Sequence, residues 1–175
     1  MQNHQTINNM RKIIFPLFVL IGCNTTQVPK NDKTFPQKVN DLVLSEVGIG
    51  QGFIVKRISK DDVLECSATY LGNIKTNKGE VLKILNNIIY TGSLEDSKHA
   101  NASINIYTSG NKYVGAYVVG PTWFLPNKID GSNLVFDYNN RYCNQKTLIN
   151  LSDSIPKNIF VNCTEKGGDF YSFKK

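Results

Sequence analysis

The chain has 175 residues and a formal net charge of +6, from 20 basic and 14 acidic side chains. This length fits one domain with a short terminal extension, and the scattered basic residues give no support for nucleic-acid binding. With two histidines and four cysteines, the chain lacks the closely spaced ligand pairs that zinc sites need.

The first 22 residues have the three parts of a secretion signal. Arg11 and Lys12 give a positive start, the stretch from Ile13 to Ile21 is apolar, and the small residue Gly22 precedes Cys23. Because a membrane-spanning helix needs about 20 apolar residues, this stretch is too short to span a bilayer. We therefore predict a signal peptide over residues 1–22, with translation starting at either Met1 or Met10.

The residues Leu20-Ile21-Gly22-Cys23 resemble the lipobox of bacterial lipoprotein precursors. The resemblance implies cleavage after Gly22 and attachment of diacylglycerol, with a further acyl chain such as palmitate, to Cys23. The membrane would then be one partner, reached through the lipid on Cys23. Asn24 follows the cysteine where Asp would favour the inner membrane, so the resemblance implies the outer membrane, facing the periplasm or the cell surface.

Residues 23–38 are polar and contain Pro29 and Pro36, which predicts a flexible tether. The domain is predicted to span residues 39–175 and to begin with a short helix over residues 39–47. Short β-favouring runs with Gly, Asn and Asp turns follow, so we predict a mainly β fold, a single sandwich- or barrel-like antiparallel domain. The main strand candidates are residues 53–58, 63–70, 80–90, 104–107, 113–119, 134–136, 148–151, 159–161 and 170–173.

The segment from Glu80 to Tyr90 fits two interpretations. Its apolar residues Val81, Ile84 and Leu85 have helical spacing, whereas the run from Ile88 to Thr91 favours a strand. We predict a strand.

Three cysteines remain after Cys23 in a compartment that permits disulfides. Cys143 and Cys163 flank turn-rich sequence in the last third of the chain, so we predict that they are bonded. Cys66 alternates with Leu64 and Ala68, which indicates a buried, inert thiol, although pairing of Cys66 with either other cysteine stays open.

The acidic and histidine residues give little support for catalysis. His99 is the only histidine beyond the predicted signal, and it lies in polar sequence that indicates a surface position. The adjacent acidic pairs Asp61-Asp62 and Glu95-Asp96 lie in turn-like sequence, where acidic residues are expected without a catalytic role. We predict no catalytic residues, no metal site and no cofactor.

Four aromatic residues cluster within eleven positions beside Gly120-Pro121. If they are exposed together they would form a binding patch, since Tyr and Trp are enriched at interfaces; the alternative is core packing. They are Tyr113, Tyr117, Trp123 and Phe124.

These observations favour an envelope lipoprotein whose non-catalytic β domain binds another envelope molecule, with a protein as the expected partner. An inhibitor or an immunity-type protein would fit its size and anchor, by analogy of architecture alone. The alternatives are an envelope hydrolase that uses carboxylates and a structural or assembly subunit of an envelope complex.

Overall fold

The computed structural model describes residues 33–59, 63–93 and 95–175. The predicted signal, the lipobox and Cys23 lie outside these residues. One helix, α1, spans Phe35–Glu46. The strands are β1 (Gly52–Ile58), β2 (Val63–Lys75), β3 (Val81–Gly92), β4 (His99–Thr108), β5 (Tyr113–Gly120), β6 (Lys128–Asp130), β7 (Asn133–Asp137), β8 (Lys146–Asn150), β9 (Asn158–Thr164) and β10 (Gly167–Lys174).

The strands form two antiparallel sheets. The large sheet has seven strands in the order β1-β2-β3-β4-β5-β10-β9, and the small sheet has three in the order β6-β7-β8. The small sheet packs on one face of the large sheet, with its outer strands beside β2 and β9. The predicted mainly β, sandwich-like antiparallel fold with one helix is therefore confirmed.

The larger apolar core lies between the two sheets. It contains Ile84, Ile104 and Tyr117 from the large sheet and Leu134 and Phe136 from the small sheet, all fully buried. Because successive strand residues point to opposite faces, the neighbours of these side chains face the other way. We call the face toward the small sheet the sandwich face.

Helix α1 covers the opposite face of the large sheet, which we call the helix face. Val39, Val43 and Leu44 pack there against Ala68 and Leu85 in a second, smaller core. Within the described residues, no helix has the length and apolar character needed to cross a bilayer.

The helix begins at Phe35, four residues before the predicted start of the domain at Val39. Pro36 lies in the first turn, where its missing N–H costs no hydrogen bond. The Gln37 side chain reaches back and accepts a hydrogen bond from the Thr34 backbone N–H at 2.7 Å. These capping interactions extend the ordered domain into the last residues of the predicted tether.

Strand β3 confirms the prediction for residues 80–90 and explains its ambiguity. Leu82 and Ile84 face the sandwich core, whereas Leu85 and Ile89 face α1. A strand covered on both faces carries apolar residues at successive positions, so its pattern is not a simple alternation. Strands β2 and β4 also extend beyond their predicted bounds: β2 continues to Lys75, and β4 begins at His99.

Candidate functional site

An exposed aromatic surface lies at the end of the molecule where the β7–β8 loop meets the segment after β5. We define it as Arg141, Tyr142 and Trp123. The Trp123 and Tyr142 rings stack with centroids 6.3 Å apart and planes at 24°, and both side chains are more than half exposed. The Arg141 guanidinium lies 4.4 Å from the centroid of the Tyr142 ring. It also donates a hydrogen bond to the Tyr142 hydroxyl.

Trp123 is held by a short turn of 3-10 helix, Thr122–Phe124. Pro121 precedes this turn and its carbonyl accepts a hydrogen bond from the Phe124 N–H at 3.2 Å. Phe124 itself is buried and contacts the rings of Tyr138 and Tyr171. The core therefore anchors the residue next to Trp123, which fixes where the indole emerges.

Arg141 and Tyr142 are held by a tight turn in the β7–β8 loop. The Asn140 side-chain oxygen accepts hydrogen bonds from the backbone N–H groups of Tyr142 and Cys143, each at 2.9 Å. The predicted cysteine pair is present: Cys143 bonds to Cys163 in β9, across 20 residues of sequence. A crosslink directly after Tyr142 limits the movement of the loop that carries it.

The structure separates the four aromatic residues of the predicted patch. Tyr117 is fully buried on the sandwich face, where its hydroxyl donates to the Pro156 carbonyl at 2.6 Å, and Phe124 is also buried. Tyr113 is exposed on the helix face, against Tyr107. Only Trp123 belongs to the aromatic surface, so the four residues do not form one exposed patch.

The sequence reasoning missed Tyr142, which lies 19 residues beyond Trp123 in the chain. Local spacing cannot bring these two residues together, because the turn at Asn140 and the strands of the small sheet determine their contact. The sequence did offer one signal for this surface: Arg141 and Tyr142 are adjacent and directly precede Cys143, which was predicted to form a disulfide.

Cys66 is a free, fully buried thiol under α1, as the alternation around it predicted. Its sulfur lies 3.5 Å from the Asn87 amide nitrogen, and that nitrogen also donates to the Asn40 side-chain oxygen. Asn40 in turn donates to the Tyr107 hydroxyl at 3.0 Å. Burial raises the pKa of the Cys66 thiol to about 11, which opposes formation of the reactive thiolate.

The candidate catalytic groups do not gather at one place among the described residues. His99 is exposed at the start of β4, and Asp96 is exposed in the 3-10 turn before it, Glu95–Ser97. Asp61, Asp62 and the side chain of Glu95 lie outside what the structure describes. Across residues 33–59, 63–93 and 95–175, no group of three or more His, Cys, Asp or Glu side chains is arranged to hold a metal ion.

Comparison with protein-family models, with curated proteins and with solved structures found no match for this chain.

Proposed function

We propose that this protein is a bacterial envelope lipoprotein, anchored by lipid on Cys23, whose β domain binds another envelope protein without catalysing a reaction. The residues that support the anchor are the positive start, the short apolar stretch and the lipobox-like Leu20-Ile21-Gly22-Cys23. The Cys143–Cys163 bond is consistent with an oxidising compartment.

The aromatic surface is the observation that carries the binding proposal. Trp, Tyr and Arg are the residue types most enriched among those that dominate the energy of protein interfaces. Here one residue of each type lies in a single stack, and Trp123 and Tyr142 are more than half exposed.

The support of this surface favours binding rather than chance exposure. Ordering flexible side chains and loops on association costs free energy, so anchors that are already held bind with a smaller loss. The Pro121 turn and buried Phe124 hold Trp123, whereas the Asn140 turn and the disulfide hold Tyr142.

The charge of the surface indicates what the partner must offer. Arg141 forms no ion pair with a carboxylate among the described residues, and its guanidinium lies against an aromatic ring. We infer a partner surface with an apolar socket for Trp123 and an acidic side chain for Arg141. An inhibitor or immunity-type protein that blocks an enzyme or toxin by this contact is the form we propose.

Mass spectrometry of the protein purified from bacterial membranes tests the anchor. We expect a chain that begins at Cys23 and carries diacylglycerol and acyl groups. Cys23→Ser should abolish labelling by an alkyne-bearing fatty acid and release the protein from the membrane fraction. An unprocessed N-terminus without fatty acid would contradict the proposed anchor.

Site-specific photo-crosslinking in the native envelope tests the binding surface. A photoreactive phenylalanine analogue at Tyr142 should give one discrete protein adduct, and Arg141→Glu in the same chain should abolish that adduct. The matched control places the analogue at Ile54, which is 45% exposed on β1. An adduct of equal yield at both positions, or none at Tyr142, would show that the aromatic surface is not the binding site.

A further inference from the structure

A polar cleft lies on the helix face, between α1 and the exposed parts of β3, β4 and β5. Its volume is about 490 Å³, within the range of small-ligand sites. Six residues with neutral amide or hydroxyl side chains line it, together with two tyrosines. The residues that matter for recognition are Gln37, Asn87, Ser103, Asn105, Tyr107 and Tyr113.

Asn105 places an amide donor inside the cleft. Its side chain lines the cleft on β4 and is 7% exposed. It accepts a long hydrogen bond of 3.4 Å from the Ser103 hydroxyl, but its amide nitrogen donates to no group among the described residues. The nitrogen is not among the sealed, unsatisfied polar atoms of the described residues, so it opens onto the cleft and can donate to an acceptor on a bound molecule.

Tyr107 offers a second donor at the same place. Its hydroxyl accepts a hydrogen bond from Asn40, so its own hydrogen remains available to a ligand. Asn87 fixes this arrangement by donating to the Asn40 side-chain oxygen. The polar network under α1 therefore positions the Tyr107 hydroxyl.

Tyr113 supplies an aromatic ring at the mouth of the cleft. It is 48% exposed, and it packs edge-to-face on Tyr107 with ring centroids 5.5 Å apart. An exposed ring held in this way can cover the apolar C–H face of a sugar ring while hydrogen-bonding groups contact the hydroxyls.

The charges around the cleft favour a neutral ligand. Lys33 and Asp41 line it and form an ion pair at 2.7 Å, so they largely cancel. Lys112 is the remaining charged residue of the lining. One lysine beside many amides is poorly suited to a multiply charged anion, and one paired carboxylate is poorly suited to a metal ion.

We propose that this cleft binds a neutral disaccharide unit of a glycan, with Asn105 and Tyr107 as hydrogen-bond donors and Tyr113 as the stacking ring. The site is separate from the aromatic surface and does not depend on the protein partner proposed above. Asn105 and Tyr107 select hydroxyl or acetamido oxygens, and the ring selects a flat sugar face.

Saturation-transfer NMR with the full-length mature protein, in a detergent without a sugar headgroup, tests the proposal. The probes are N,N′-diacetylchitobiose and cellobiose, which share the same β-linked backbone and differ in acetamido groups. We expect transfer to the ring protons of at least one probe, with a Kd below about 10 mM. Tyr113→Ala and Asn105→Ala should each weaken binding by about tenfold. Tyr113→Phe should retain binding, because it keeps the ring.

A stability measurement separates a binding role of Asn105 from a structural one. Asn105→Ala removes an amide without a protein acceptor, so the midpoint of urea unfolding should not fall. Trp123→Ala, outside the cleft, should leave saccharide binding unchanged. The proposal is overturned if neither probe binds, or if Asn105→Ala binds as well as the unchanged protein.

Discussion

The two faces of the large sheet differ in what they bury. On the sandwich face, β3 and β4 contribute Ile84, Ile104 and Ile106, which are fully buried among other apolar side chains. On the helix face, the same two strands contribute Asn87 and Asn105, also buried. One pair of strands therefore contributes mainly apolar side chains on the sandwich face, and on the helix face adds buried amides beside the smaller apolar core.

The difference follows from what covers each face. Three strands and their loops close the sandwich face, whereas one helix of 12 residues covers part of the helix face and leaves the cleft beside it. Buried polar groups are tolerated where they bond one another or reach water or a ligand. We expect the apolar cores to determine stability, and the positions that line the cleft to tolerate change except at the hydrogen-bond network.

We expect the largest difference in the free energy of unfolding between substitutions at neighbouring residues on opposite faces of β4. Ile104→Ala should lower the free energy of unfolding by about 4 kcal/mol, because it leaves a cavity in the dry core. Ser103→Ala, whose side chain points to the helix face, should change it by less than about 0.5 kcal/mol. Chemical denaturation measures both, and equal losses would show that the faces do not differ in this way.

The disulfide is the next largest contribution, and it belongs to the sandwich side. Replacing Cys143 and Cys163 by Ala should lower the free energy of unfolding by about 3 kcal/mol, because the unfolded chain loses a closed loop. Reduction of the unchanged protein should give a similar loss. Cys66→Ala is the control. This variant keeps the disulfide, so adding a reductant should lower its stability as it does for the unchanged protein.

A smaller loss is expected from the polar network on the helix face. Asn87→Ala removes the donor to Asn40 and should cost about 2 kcal/mol, because buried polar groups lose their partner. The neighbouring variant Asn86→Ala removes a side chain that faces away from α1 and donates to the Pro126 carbonyl. A loss of affinity for saccharide only in Asn87→Ala would tie the network to the cleft.

The smallest effect appears in the pH dependence of stability. Burial raises the pKa of Cys66 to about 11 in the folded state, whereas the unfolded thiol ionises near 9.0. The unfolded state therefore loses a proton first, and stability falls as the pH rises from about 9 toward 11. The unchanged protein should lose about 1 kcal/mol more than Cys66→Ala between pH 7 and pH 10. Equal losses in the two proteins would contradict a buried neutral thiol.

The sequence predicted the fold class well because most strands are short β-favouring runs bounded by turns that contain Gly, Asn or Asp. The hairpin around Gly110 and Asn111 is an example: Asn111 adopts a positive φ of 61°, as turn chemistry requires. The Cys143–Cys163 pair was also predictable, since these two cysteines lie close in sequence on either side of a turn.

The functional surfaces were less predictable, because tertiary contacts assemble them. Tyr113 and Tyr117 lie four residues apart on one strand, so simple alternation would place them on the same face. The register shift in the pairing of β4 with β5 near Tyr113 sends them to opposite faces instead. Asn105 is an ordinary polar residue in a strand sequence. Only the position of α1 shows that its amide is buried beside a cleft.

The early start of α1 has a consequence for where the domain works. Lys33 already contacts the helix through Asp41, and it lies ten residues after Cys23. A fully extended chain of that length reaches at most about 36 Å. If the lipid on Cys23 holds the protein as proposed, diffusion is confined to a thin layer above the bilayer, which raises the local concentration of any binding partner in the same leaflet.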